Sequence, residues 1–121
     1  MKRDMELVRK VLLATEENPD PIFRLTNLNI DGYTQVEISY HVKMLSDAGF
    51  VTAQNLTTQN DGLCWMPKSL TWEGHEFLDT IKNDTVWRKT TEFVIETGGA
   101  ISVETLTAVA TGLAKAHFGI G

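Results

Sequence analysis

The chain has one cysteine and three prolines, lacks any apolar run long enough for a membrane, and is short of positive charge. Each scarcity excludes something. A lone thiol, Cys64, cannot form an internal disulfide and is too few for a zinc ribbon or a redox pair, so a reducing compartment is expected. The opening MKRDMELVRK mixes its basic residues with Asp4 and Glu6. The apolar positions after it are periodic rather than continuous, which fits neither a signal peptide nor a transmembrane span. A cytoplasmic protein with no membrane partner is expected. With 11 Lys and Arg against 16 Asp and Glu, the formal net charge is −5. That balance excludes a broad phosphate-binding surface, so any DNA contact has to be local. Phosphate-cradling glycine loops, internal repeats and low-complexity tracts are also missing.

What is present fits one compact core with at most an appended helical tail, since 121 residues are too few for two comfortable cores. Met5, Val8, Val11 and Leu12 recur at helical spacing and set a first amphipathic helix over 4–17. Pro19 and Pro21 end it. The stretch 22–30 alternates loosely and runs into Asp31-Gly32, which suits a short strand and a turn. Thr34 is placed to cap a helix that should stop at Gly49. Asn60-Asp61-Gly62 then separates two strand-like runs, near 50–57 and 63–70, in the manner of a hairpin. Thr71 caps a helix to about Asn83, Asp84 another that Gly98-Gly99 stops, and Ser102 a last one.

The order helix, strand, helix, hairpin, helices gives the fold class: α+β, mostly α, with a winged helix-turn-helix core over 1–83 and a C-terminal helical extension over 84–121. Only Asn27 to Tyr33 is left for the helix that should precede the recognition helix, so that element is a single turn or missing.

Two resemblances carry the reading further. The segment EISYHVKMLSDAGFV resembles the recognition helix of arsenic-sensor-type bacterial repressors, through Ile38, Ser39, His41, Val42, Lys43, Leu45, Ala48, Gly49, Phe50 and Val51. MKRDMELVRKVLL, EISYHVKML, LTWEGHEFLDTIKNDTVW and the C-terminal helix together resemble a family of small uncharacterised phage and prophage proteins. That second likeness implies a phage or prophage origin and supplies no catalytic or binding residues.

On a helix turning about 100° per residue, Ile38, Val42 and Leu45 form the core stripe of residues 34–48, and Val36, Tyr40, Lys43 and Asp47 lie opposite, with Met44 beside them. Gln35, Ser39, Tyr40, His41 and Lys43 are the candidate contacts to double-stranded DNA. Glu37, Asp47 and Asp61 oppose phosphate. The same face also reads as an apolar ridge of Val36, Tyr40 and Met44 at i, i+4 and i+8, suited to a host or phage protein. The two readings, a DNA-binding regulator and a non-enzymatic adaptor or inhibitor, both stand at this stage.

The other chemical-looking groups favour structural roles. His75 between Glu73 and Glu76 does not converge with them on a helix, and Glu37 with His41 gives two ligands where zinc needs more. Neither a metal, a cofactor nor an enzymatic activity is expected. Trp65, Trp72 and Trp87 are read as core. In the last helix Val103, Leu106, Ala110, Leu113, His117 and Ile120 make a seam, with only Glu104 and Lys115 charged between residues 102 and 121. A homo-oligomer built on this helix is expected, with Leu106 and Leu113 as protein-binding positions and His117 half-buried.

Overall fold

In a computed structural model of the chain, which describes residues 1–98 and 101–119, the architecture is α+β and mostly helical. The elements are α1 (Met5–Glu16), α2 (Gln35–Asp47), β1 (Val51–Asn55), β2 (Trp65–Leu70), α3 (Trp72–Ile81), α4 (Asp84–Glu96) and α5 (Val103–Phe118). They fall into two compact units, Met1–His75 and Glu76–Gly121, with the boundary inside α3.

In the first unit α1 and α2 pack on each other and both on the antiparallel pair β1–β2. Leu7, Val8, Val11 and Leu12 of α1, Ile38, Val42 and Leu45 of α2, and Phe50, Val51 and Leu70 around the strands are all buried. Local chemistry explains the boundaries. Asp4 caps α1 by accepting from the Leu7 amide. Thr34 and Glu37 form a reciprocal capping box at the start of α2. Gly49, at φ +81°, takes the left-handed turn that lets the chain leave α2 and enter β1. The hairpin is paired from Val51 with Leu70 to Asn55 with Trp65, and its loop closes on a Thr58–Gly62 bridge around Asp61. Pairing jumps from Thr52–Ser69 to Ala53–Pro67, so Lys68 is the extra residue of a β-bulge.

The expected strand over 22–30 does not form. Ile22 and Phe23 are both exposed, at 69% and 84%, and only Leu28 is buried, so the segment has no alternating face to lay on the core. It is instead pinned as irregular chain: the Thr26 amide donates to the Pro67 carbonyl (2.8 Å), and Asn18 Nδ2 donates to the carbonyls of Arg24 (2.9 Å) and Lys68 (2.8 Å). Residues 27–33 contain no helix, only the turn at Asp31-Gly32.

The second unit holds the rest of α3, then α4 and α5, which pack against each other. Asn83, not Asp84, caps α4, accepting from the amides of Thr85 and Val86, and α3 stops at Ile81. Ser102 caps α5. Two more expectations need correction. Trp72 is 76% exposed, because it opens α3 on the side away from Phe77 and Leu78, whereas Trp87 is buried. Of the α5 seam, Leu106 and Ala110 are buried, Val103 and Leu113 are half-buried and His117 is exposed, lying in the last turn; Ile120 lies outside the described residues. No helix among the described residues is long and apolar enough to cross a membrane.

Candidate nucleic-acid interface

The geometry around α2 sorts the five residues expected to touch DNA into two groups. Ser39 is 5% exposed, and its Oγ accepts the Trp65 backbone N–H at 3.1 Å, tying α2 to the first residue of β2. His41 is 1% exposed. Its Nε2 accepts the Asp4 amide at 2.8 Å, so the proton sits on Nδ1, which donates to the Glu37 carbonyl at 2.8 Å. With every polar atom of the ring engaged inside the protein, His41 is a strut between α2 and the start of α1. Ser39 and His41 therefore leave the contact set, because the buried arc of α2 is wider than its apolar stripe.

Gln35, Tyr40 and Lys43 remain accessible to different degrees. Gln35 is exposed, with its Nε2 donating to the Leu28 carbonyl (3.0 Å). Tyr40 is half-buried and meets the edge of the His41 ring at a centroid distance of 6.0 Å. Lys43 pairs with Asp47 one turn on, Nζ to Oδ2 at 2.8 Å, and this hydrogen bond, followed by the charge of the same carboxylate, pushes the lysine pKa up. The ridge is open at its N-terminal end, where Val36 is 47% exposed, while Met44 is half-buried.

One nearby group has no counterpart in the sequence reading. The Asp4–His41 bond brings the chain start alongside α2, so Lys2 and Arg3, both exposed, stand next to that helix. Tyr33 reinforces the arrangement, its hydroxyl donating to Asp4 Oδ2 at 3.1 Å. Burial first, then this hydrogen bond and the neighbouring carboxylates, raises the Tyr33 pKa and keeps the phenol a donor. Lys10 Nζ covers the same ring at 5.6 Å from its centroid. The available signal was the MKR run itself, whose position beside α2 depends on the orientation of His41.

The other candidate chemistry stays dispersed. His75 Nδ1 lies 4.0 Å from Glu16 Oε2 on α1, a pair rather than a set, and no group of three or more metal-capable side chains converges among the described residues. Cys64 is a half-buried free thiol in the hairpin.

Comparison with known proteins places the chain in a family. Residues 2–100 match the family described as "Hypothetical protein (DUF2513)". An uncharacterised protein of Haemophilus influenzae is 38% identical over 87 residues, which is 72% of this chain and 73% of that one. No solved structure matches.

Proposed function

The chain belongs to the DUF2513 family, and from that premise we propose that it is a small winged-helix DNA-binding regulator of phage or prophage origin. In this reading α2 is the recognition helix and the loop over 56–64 is the wing. The observation that carries it is the Ser39 Oγ bond to the Trp65 amide, which makes helix and hairpin one rigid pair while Gln35, Tyr40 and Lys43 keep exposed surface. Lys43 and Lys2 serve the phosphates, and Gln35 and Tyr40 the base edges and sugar. The Lys43–Asp47 pair competes with phosphate for the lysine, so binding is weak and strongly salt-dependent.

Fluorescence anisotropy with a labelled random duplex tests this. Binding is expected at low salt and declines as salt rises; Lys43→Glu abolishes it and Asp47→Asn strengthens it. Absence of binding at low salt, or affinity that survives Lys43→Glu, overturns the reading.

A second reading draws on the exposure of Val36 and the shortage of positive charge around it. Here the ridge of Val36, Tyr40 and Met44 docks on a host or phage protein, and the chain is a non-enzymatic adaptor or inhibitor. A co-purifying protein lost on Tyr40→Ala, in a chain that ignores DNA, is the outcome that selects it.

A further inference from the structure

We infer that the α4–α5 pair is a self-docking surface, and that a second copy of this chain occupies the groove between the two helices. The groove has a volume of about 410 Å³ and an apolar floor of Phe93, Val109 and Leu113. Ala108 and Gly112 form its α5 wall and are exposed. Of the seam expected from the sequence Leu113 lines the groove, while the structure commits Leu106 and Ala110 to the interior and brings Ala108, Val109 and Gly112 in instead.

The charges around the groove identify the occupant. Lys89 and Leu113 line it together although each lies far from the connection between the helices, so α4 and α5 run in opposite directions. The end near the connection is acidic, with Glu92 and Glu96 from α4 and Glu104 from the first turn of α5; the other end is basic, with Lys89 and Lys115. Glu104, Lys115, Ala108 and Gly112 fall within roughly 80° of one another on the α5 surface. Among the described residues none of Lys89, Glu92, Glu96, Glu104 and Lys115 makes an ion pair within the chain. A surface with one sign of charge at each end is its own complement under a two-fold rotation. Each Glu104 then meets the other copy's Lys115, and every pair occurs twice, as an isologous interface requires. Exposed Ala108 and Gly112 let the helices approach closely, and the product is a four-helix bundle of the common kind.

This proposal stands apart from the DNA reading, since it is tested without nucleic acid. Sedimentation velocity on the full chain over a range of concentrations is expected to show a reversible dimer that weakens as salt rises. Glu104→Lys, which sets like charges opposite each other at two symmetric places, raises the dimer dissociation constant by about tenfold or more, and adding Lys115→Glu restores it. Gly112→Arg gives a monomer with unchanged helical circular dichroism, because a side chain there meets nothing within 4 Å in the single chain. A wild-type chain that stays monomeric at high concentration, a dimer indifferent to Gly112→Arg, or a charge swap that fails to rescue overturns the inference.

Discussion

The two units are held together by different means. In the first, polar side chains bridge elements far apart in sequence: His41 to Asp4, Ser39 to Trp65, Asn18 to Lys68, Tyr33 to Asp4 and Thr71 Oγ1 to the Gly49 carbonyl at 2.6 Å. In the second, the hydrogen bonds of Thr80, Thr90, Thr91 and Thr97, and the caps Asn83 and Ser102, each reach no more than four residues. Buried directional bonds fix one arrangement, since moving either partner strands a donor or acceptor. Helices joined mainly by apolar contact tolerate repacking more readily. The unit with the directional bonds is the one that, under the proposed function, presents a helix and a hairpin in fixed register.

Four substitutions test this contrast, from the largest effect down. Gly74→Val is expected to be the most damaging. A Cβ at that position runs into the backbone carbonyl of Phe50, which cannot retreat without breaking the entry to α3. A loss of about 3 kcal/mol or more is expected in urea unfolding. His41→Ala removes the acceptor of the Asp4 amide and leaves a hole at a fully buried site, for a loss of about 2–4 kcal/mol and faster amide exchange at Asp4. Ser39→Ala leaves the Trp65 amide without its acceptor at little change of volume, costing about 1–2 kcal/mol, with the change in amide exchange centred on Trp65. In the second unit Gly112→Ala, measured at a dilution where the chain is monomeric, should go the other way and stabilise the helix by about 0.5–1 kcal/mol, because in the single chain the added methyl meets nothing and glycine's freedom in the unfolded chain is removed. Equal penalties at His41 and Gly112 would erase the distinction between the units.

Much of the frame was legible because it is encoded locally. The Thr34–Glu37 box, the Gly49 stop and the Asp61-Gly62 turn are short-range signals, and each lies where its residues place it. The candidate site was legible only in part. A stripe of Ile38, Val42 and Leu45 marks the centre of the buried arc but not its width. With α1 on one flank of α2 and the hairpin on another, burial extends over roughly 160°, from His41 on one side to Ser39 on the other. Two polar residues that read as DNA contacts are thus interior braces. Tertiary partners also decided the segment 22–30, where a carbonyl of β2 and the side chain of Asn18 hold the chain without a strand ladder. On α5, helical spacing marked one seam, and the packed structure buries only Leu106 and Ala110 of it.

The bulge at Lys68 has a bearing on solubility. An open ribbon edge invites other chains to add to it, and a two-stranded ribbon has two such edges. Here the β2 side is spoiled as a template: Pro67 has no amide to offer, and the carbonyls of Pro67 and Lys68 are already engaged by Thr26 and Asn18. Sheet extension between molecules is left with the β1 side alone, so pairing stops at two molecules and fibril-like growth, which needs both sides of every strand, goes no further.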